Sequence, residues 1–242
     1  MNILIGWMRD ICGCNYSIDY STYNQSQLYP NEANLAWEQY QERQMPDRWC
    51  TSRLCMDRHI RSVLDVGAGT GLFAHFVKRI GVPVNCVEPC TENADKLSKS
   101  GFHTYASLYD VDAQYDLVHC NGVIEHVEDP VAFAANLFRH TSLGGVCWVM
   151  THNELGLLIL CTIFRLLTFK RFSVRHYVNP WHVNYWDQEH VERLLRKAGF
   201  LIAESWLEPW QQPPRRWSLR RIIHWLIRLH SICIVAKRPL TR

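Results

Sequence analysis

The chain has 242 residues, of which 48% are hydrophobic and 20% are charged, and its formal net charge is +3. This length and composition suit one globular domain with a full hydrophobic core and require no second one. The small net charge argues against a nucleic-acid partner, which calls for a more basic surface. The ten cysteines are scattered along a chain too long to need disulfide stapling, so we expect reduced thiols in a cytoplasmic protein.

The first 58 residues precede the first predicted strand. Residues 1–30 are polar and rich in Tyr and Asn, which favours an irregular arm, and one or two helices are expected over 30–58. The start of the chain lacks the charge pattern, apolar length and cleavage site of a secretory signal. The longest apolar run, Leu155 to Phe169, contains Arg165 and is shorter than the roughly 20 residues that cross a bilayer, so no transmembrane helix is predicted.

The rest of the chain alternates between strand and helix patterns. Strands are predicted near 62–66, 84–88, 102–105, 115–120 and 146–151, and helices near 72–80, 91–99 and 130–139. Such alternation predicts an α/β fold with a doubly wound, mostly parallel sheet. A last helix is predicted over Glu189 to Ala198 with Gly199 as its cap, and a closing strand pair over Phe200 to Leu207 and Ser231 to Lys237.

A glycine-rich turn follows the first predicted strand. Gly67, Gly69 and Gly71 form a G-x-G-x-G pattern after Asp65, and they allow a ligand to approach the main chain closely. The helix that follows would direct its free N–H groups at that ligand. The dinucleotide-binding fingerprint is not met, because it has its third glycine three positions after the second, and that position, 72, is Leu here. Glu88 ends the second strand, at the place where a doubly wound sheet binds ribose hydroxyls.

A second motif runs from Tyr115 to Pro130 and includes the pair Glu125-His126. Together, the two motifs resemble those of the class I S-adenosylmethionine-dependent methyltransferases, in the small-molecule branch that includes the ubiquinone-biosynthesis O-methyltransferases. The resemblance implies a Rossmann-like sheet with an antiparallel hairpin at its C-terminal edge. It also implies an N-terminal cap over residues 1–58 and a methyltransferase domain over 59–242.

The same resemblance implies a binding site for S-adenosylmethionine. In that family the glycine loop contacts the methionine part of the cofactor, the acid after the second strand holds the ribose, and the loop after the fourth strand lines the sulfur side. The implied cofactor-binding residues are Asp65, Gly67, Ala68, Gly69, Thr70, Gly71, Glu88, Pro89, Ser107, Leu108, Asn121, Gly122 and Val123.

Residues 152–186 depart most from a minimal methyltransferase, and we predict that they determine the substrate. Their aromatic residues, among them Tyr185 and Trp186, suit an organic acceptor, or alternatively cover the sheet. Methyl transfer mainly requires alignment of the reactants. If the acceptor is a hydroxyl, an imidazole can take its proton near neutral pH, and His126, His152 and His182 are the candidate bases.

The resemblance also bears on metal binding. Related quinone O-methyltransferases and small-RNA 2′-O-methyltransferases have a Glu three residues before the Glu-His pair, which gives a carboxylate-rich metal site. That position is Gly122 here. Since a hard cation needs oxygen ligands, Mg²⁺ dependence is not expected, and no metal site is predicted. Glu125, His126 and His182 remain as ligands for a weaker one.

Residues 213–229 plot as a basic amphipathic helix, with Arg220, Arg221, His224 and Arg228 on one arc. Such a helix suits an anionic membrane surface, and the apolar run before Lys170 and Arg171 is a second candidate contact. The alternative is that its apolar face packs on the sheet or on a partner subunit. The membrane interpretation favours a lipid-linked acceptor.

These observations predict an S-adenosylmethionine-dependent methyltransferase that acts on a small-molecule or lipid-linked acceptor, at oxygen. Two alternatives stay open: a scaffold that binds the cofactor without turnover, and an RNA 2′-O-methyltransferase, against which the net charge and Gly122 argue. The oligomeric state is left open.

Overall fold

A computed structural model of the protein describes residues 59–155, positions 158, 159, 162, 163 and 166, and residues 182–209 and 230–241. The predicted N-terminal cap, the middle of the predicted specificity segment and the predicted amphipathic helix at 213–229 lie outside the described residues.

The described residues form seven strands and four complete α-helices. The strands are β1 (Val63–Val66), β2 (Val84–Val87), β3 (His103–Tyr105), β4 (Tyr115–Asn121), β5 (Thr141–His152), β6 (Leu201–Pro209) and β7 (His230–Lys237). The helices are α1 (Leu72–Arg79), α2 (Thr91–Lys99), α3 (Pro130–His140) and α4 (Gln188–Ala198), with a 3₁₀ turn at Leu108–Asp110.

All seven strands belong to one sheet in the order β3-β2-β1-β4-β5-β7-β6. Neighbouring strands from β3 to β5 run parallel, whereas β7 is antiparallel to both β5 and β6. This topology confirms the predicted doubly wound sheet with an antiparallel C-terminal pair at its edge. The strand order reverses between β1 and β4, and the crevice at the carboxyl ends of these two strands is where an open α/β sheet binds ligands.

The helix ends are explained by local chemistry. The Asp129 carboxylate accepts hydrogen bonds from the first N–H groups of α3, and Pro130 occupies the first turn, where its missing N–H costs nothing. Asp187 caps α4 in the same way. That helix ends at Gly199, whose φ of 110° is the left-handed conformation that glycine adopts without steric penalty. Each acidic cap fixes the start of a helix: α3 follows the loop after β4, and α4 follows residues 182–186.

Alternating residues of the central strands face two separate cores. One face carries residues such as Leu64, Val118 and Val149, against which α3 and α4 pack. The opposite face carries Val63, Leu117 and Trp148, which pack with α1. Because both faces are covered, the strands are apolar on both sides, and any buried polar residue in them needs a partner.

Strand β5 begins five positions before the predicted start. Thr141 pairs with Tyr115, and regular pairing then resumes at Val146 opposite Leu117, with a register shift between the two. Gly144 lies in this irregular stretch with a φ of 75°. Gly144 therefore lies in an irregularity within the strand.

Helical residues follow β5, and their exposed side chains form an apolar stripe. Ile159, Ile163 and Leu166 are spaced at intervals of four and three, so they lie on one face of the helix, and all three are exposed. Leu158, on the other side, is fully buried. Among the described residues, no helix has the length and hydropathy needed to cross a membrane.

Candidate active site

The glycine loop lies directly after β1, in the crevice where the strand order reverses. Gly67, Gly69 and Gly71 all have positive φ values, of 73°, 55° and 86°. The Gly67 and Ala68 N–H groups donate to the Val87 carbonyl of β2, which fixes the loop to the neighbouring strand. A Cβ on Gly67 would lie 2.3 Å from Cγ2 of Val123, so the loop after β4 packs where a side chain at position 67 would be. The two predicted cofactor loops are therefore in contact.

Glu88 lies beneath this loop at the end of β2. Its Oε2 accepts a hydrogen bond of 2.7 Å from the Gly69 N–H, and its Oε1 accepts one of 2.9 Å from the Cys90 N–H. Burial raises the pKa of the Glu88 carboxyl above its ordinary value, although both backbone hydrogen bonds act in the opposite direction. Each carboxylate oxygen keeps a second lone pair, so the group can still accept from ligand hydroxyls. A buried acid with acceptor capacity beside a glycine loop fits the ribose of S-adenosylmethionine.

The other predicted cofactor residues lie around this pair of loops. Ser107 follows β3, which runs parallel to β2, so it lies at the same sheet edge as Glu88. Its Oγ accepts from the Tyr109 N–H. Leu108 is buried in the main core. Thr70 and Pro89 are exposed. Asn121 ends β4, and the Gly122 N–H donates to the Met150 carbonyl of β5 at 2.9 Å.

Asp65 makes its hydrogen bond within the sheet. Its Oδ1 lies 2.7 Å from Nδ1 of His119 on β4, and both side chains are buried. The Phe73 ring of α1 stacks on His119 with the ring centroids 3.7 Å apart. Asp65 therefore ties the strand before the glycine loop to β4 and to the first helix after the loop. His119 was not singled out in the sequence, where it reads as one more residue of an apolar strand.

The structure brings the three predicted catalytic histidines together. The ring centroids of His126 and His182 are 4.8 Å apart, and those of His152 and His182 are 4.9 Å apart. His126 lies in the loop after β4, His152 ends β5, and His182 comes from the segment before α4. The cluster lies at the carboxyl edge of the sheet, on the side of β4 away from Glu88.

Two buried carboxylates accompany these imidazoles. His152 Nδ1 donates to Oε1 of Glu125 at 2.8 Å, and the Thr151 hydroxyl donates to Oε2 of the same residue at 2.8 Å. His182 Nδ1 donates to Oε2 of Glu154 at 2.5 Å. The exposed fractions of Glu125, Glu154 and His182 are only 1%, 5% and 2%. Ionised groups buried to this degree require close partners of opposite charge.

The pKa values in the cluster reflect this pairing. Burial alone would raise the pKa of Glu125, but the hydrogen bond from His152 and the charges of the three histidines lower it far below its ordinary value. Burial alone would lower the pKa of His152, but the hydrogen bond and charge of Glu125, with the charge of Glu154, raise it. The carboxylate is thus kept ionised by the imidazoles around it.

Residues 182–186 are fastened to the loop after β4 by main-chain and side-chain hydrogen bonds. The N–H groups of Val183 and Asn184 both donate to the Glu125 carbonyl, at 2.9 and 3.0 Å. Nδ2 of Asn184 donates to the Val127 carbonyl at 2.6 Å. Asn153 also forms a parallel bridge with Trp186. These contacts place His182 over Glu154.

Sequence reasoning missed Glu154 and Asn184. Glu154 is an acid that directly follows a strand and precedes an apolar run, and that position was a usable signal. Asn184 carried no such signal, because its role depends on a loop far away in the sequence. The aromatic residues Tyr185 and Trp186 are buried, with Trp186 in the main core, so they cover the sheet.

The comparison with protein families matches this site and fold. A family model described as a methyltransferase domain matches residues 37–205. The chain belongs to this family of methyltransferase domains, which confirms the class I assignment made from its motifs. Membership in this family supports S-adenosylmethionine as the cofactor.

Curated relatives are ubiquinone biosynthesis O-methyltransferases. One from Psychrobacter cryohalolentis is 34% identical over 39% of this chain and 42% of the relative. The mitochondrial enzyme of Saccharomyces cerevisiae is 31% identical, and the match covers 59% of this chain and 43% of the length of that enzyme. The matches thus span less than half the length of these relatives.

Solved structures share the fold at low identity. Magnesium protoporphyrin IX methyltransferase from Synechocystis PCC 6803, with bound S-adenosylhomocysteine, has a TM-score of 0.55 and 16% identity, and the match covers 98% of this chain and 94% of that one. A SAM-dependent methyltransferase from Archaeoglobus fulgidus has a TM-score of 0.54 and 17% identity, with 84% and 99% covered.

Proposed function

We propose that this protein transfers a methyl group from S-adenosylmethionine to a hydroxyl oxygen of a small or lipid-linked organic acceptor. The observation that carries the proposal is the meeting of His126, His152 and His182 beside the loop after β4, which itself packs on the glycine loop. Displacement of a methyl group needs little chemistry from the protein, whereas a hydroxyl acceptor is helped by a base that takes its proton. The three histidines are candidate bases of this kind.

The chain's own residues would hold the cofactor at the crevice. Glu88 accepts from the ribose hydroxyls, and the glycine loop allows the methionine part to approach the main chain. When bound, the cofactor supplies a methyl group on a positively charged sulfur, and the S–CH₃ electron pair stays on sulfur as the new O–CH₃ bond forms. Asn121, Gly122 and Val123 would line the sulfur side.

His126 is the proposed base. It lies in the same loop as Gly122 and Val123, and its N–H donates to the Val123 carbonyl at 2.8 Å. Its backbone is therefore bonded directly to one of the residues proposed to line the sulfur. Its imidazole would take the acceptor hydroxyl's proton as the oxygen attacks. General-base catalysis of this kind contributes on the order of 10²- to 10⁴-fold in rate.

The lipid-linked acceptor is supported by two features. The relatives' names refer to ubiquinone biosynthesis. The exposed stripe of Ile159, Ile163 and Leu166 starts just after Glu154 of the histidine cluster and precedes Lys170, Arg171 and Arg175 in the sequence. Apolar and basic residues in this order suit an anionic lipid surface.

The first test is calorimetric titration of the full chain with S-adenosylmethionine and with NADH, on wild type and Glu88→Ala. We expect binding of the former alone, weakened in the variant. Radiolabelled methyl transfer to phenol and lipid-extract acceptors then tests the oxygen chemistry, with His126→Gln expected to lower kcat by about 10²-fold or more while cofactor affinity is kept.

Cofactor binding without transfer to any acceptor would instead support the scaffold alternative. Transfer to RNA in preference to these acceptors would support the 2′-O-methyltransferase alternative. Binding of NADH would contradict the cofactor assignment itself.

A further inference from the structure

Three side chains of the histidine cluster lie in an arrangement that suits a metal ion. One ligand atom each from Glu125, His152 and His182 lies within 4.8 Å of the other two. The three residues come from the loop after β4, the end of β5 and the segment before α4. We propose that Glu125, His152 and His182 bind a divalent transition-metal ion of the Zn²⁺ type, with Glu154 as the outer hydrogen-bond partner of His182.

The donor set differs from the carboxylate-rich site of the related quinone and small-RNA enzymes. Position 122, which holds a Glu there, is Gly122 here with a φ of 67°, a conformation that disfavours any side chain. A Cβ at that position would lie 3.8 Å from Oε1 of Glu125, so position 122 does face the cluster. The residues present therefore do not fit an oxygen-coordinated Mg²⁺ ion.

His152 supplies nitrogen in place of the missing carboxylate. Two imidazoles and one carboxylate form the donor set that favours Zn²⁺ and related first-row ions, whereas Mg²⁺ demands near-octahedral oxygen coordination. Three protein ligands also leave at least one coordination position open for an added molecule. The change from oxygen to nitrogen donors is the reason for expecting a different metal class.

The outer contacts are those that a metal-binding histidine needs. Nδ1 of His182 donates to Glu154, which fixes the ring and leaves its Nε2 as the ligand atom. The Thr151 hydroxyl holds Oε2 of Glu125 in the same way. Glu125 and Glu154 are both buried, and a divalent cation would supply the positive charge that a buried carboxylate needs close by.

Binding requires a local contraction and release of the proton that His152 Nδ1 donates to Glu125. Zn²⁺ bonds of about 2.0–2.2 Å in a tetrahedron place neighbouring ligand atoms roughly 3.4 Å apart. The present spread of up to 4.8 Å therefore has to shrink. The His152 side chain is 28% exposed, against 2% for His182, so His152 has the most room to rotate.

Metal binding can be measured without turnover. Tag-free full-length protein is stripped with chelator and titrated with Zn²⁺ by calorimetry, and with Co²⁺ by its visible absorption. We expect one equivalent of either ion and a Co²⁺ spectrum of four- or five-coordinate intensity, with no displacement by excess Mg²⁺. His182→Gln and His152→Gln should remove binding, and Glu154→Gln should weaken it by about 10- to 100-fold, as outer partners do.

His190→Gln is the matched control. His190 Nδ1 also lies 2.7 Å from a carboxylate oxygen, on Asp187, and so forms an imidazole–carboxylate pair outside the cluster. We expect its Zn²⁺ affinity to equal that of wild type. Circular dichroism and thermal melting confirm that each variant folds, and His152→Gln, as the most exposed position of the set, is the variant least dependent on core packing.

Failure of wild type to bind Zn²⁺ or Co²⁺, or equal binding by His152→Gln, His182→Gln and wild type, would overturn the proposal. Displacement of Zn²⁺ by millimolar Mg²⁺ would overturn the choice of metal class. Titration of the same metal-free samples with S-adenosylmethionine keeps this test separate from the proposed function, because the cofactor residues on β1 and β2 are not among the metal ligands.

Discussion

Glu88 is a buried carboxylate that must be ionised to accept hydrogen bonds from ribose hydroxyls on both oxygens. Burial raises the pKa of the Glu88 carboxyl in the cofactor-free protein, since the charged form loses hydration. Protonation on acidification removes the negative charge and one acceptor site. Cofactor affinity should therefore depend on pH in a range above that of an ordinary glutamate.

We expect the affinity of wild type for S-adenosylmethionine to fall as pH is lowered, with a midpoint above the ordinary Glu value of about 4.3. Glu88→Gln should bind about 10- to 100-fold more weakly at pH 8, the loss of a charged hydrogen bond, and its affinity should change little over the same pH range. Calorimetry at several pH values makes the measurement. Glu92→Gln, on exposed α2, is the control. The same slope in Glu88→Gln and wild type would contradict the role of Glu88.

Alanine substitutions at Gly67 and Gly81 distinguish the cost of backbone strain from the cost of a steric clash. Both have positive φ, at 73° and 78°, but a Cβ on Gly67 would lie 2.3 Å from Val123, whereas one on Gly81 would meet nothing within 4 Å. We expect Gly81→Ala to cost about 1 kcal/mol of unfolding free energy from strain alone. Gly67→Ala should cost about 1–3 kcal/mol more and also weaken cofactor binding. Urea unfolding and calorimetry test this, and adding Val123→Ala to Gly67→Ala should recover part of the loss.

The segment before α4 depends on a loop that is distant in sequence. Val183 and Asn184 are bonded to the main chain of residues 124–127, so the hydrogen bonds of its two neighbours set the position of His182. Asp187 then starts α4, which packs on α3.

Asn184→Asp tests this attachment. The substitution keeps the shape but replaces two N–H donors with a charged acceptor that faces the Val127 carbonyl, so we expect a loss of about 1–3 kcal/mol in stability. The displaced His182 should also lower Zn²⁺ affinity. Asn136→Asp is the control, since Asn136 Nδ2 likewise donates to a backbone carbonyl, within α3. If both variants lowered Zn²⁺ affinity equally, the attachment would not be specific to the cluster.

The molecule as a whole joins two sites along one sheet edge. The proposed cofactor residues lie at the ends of β1, β2, β3 and β4, and the histidine cluster lies at the ends of β4 and β5. Strand order alone places them side by side, since parallel strands end at the same edge. The exposed apolar stripe begins at Ile159, which follows β5 in the sequence.

We expect the full chain to co-sediment with phosphatidylglycerol-containing vesicles and to lose affinity at high salt. Replacing Ile159, Ile163 and Leu166 by Ser should weaken binding at least about tenfold, because partly exposed side chains of this size each contribute on the order of 1 kcal/mol when buried in lipid. Leu240→Ser is the control, as Leu240 is exposed but far along the chain. Unchanged binding of the triple variant would remove the stripe from the membrane contact.

Local sequence patterns were enough to predict most of the architecture. The glycine loop, Glu88 and the Gly199 cap are recognisable because their conformations depend on residues a few positions apart. The family model confirmed the predicted family, and the strand pairing confirmed the predicted mixed sheet. The prediction of a cytoplasmic location and of a lipid or small-molecule partner stays a prediction.

The histidine cluster shows what only the tertiary structure decided. His126, His152 and His182 were each recognisable as candidate bases, but their distances, and the addition of Glu125 and Glu154, come from three segments joined by long-range hydrogen bonds. Within the motif Tyr115 to Pro130, Gly122 in place of a Glu indicated that no metal site was present. The nitrogen donor that takes the place of the missing carboxylate lies on another strand, and only the pairing of β4 with β5 brings it there.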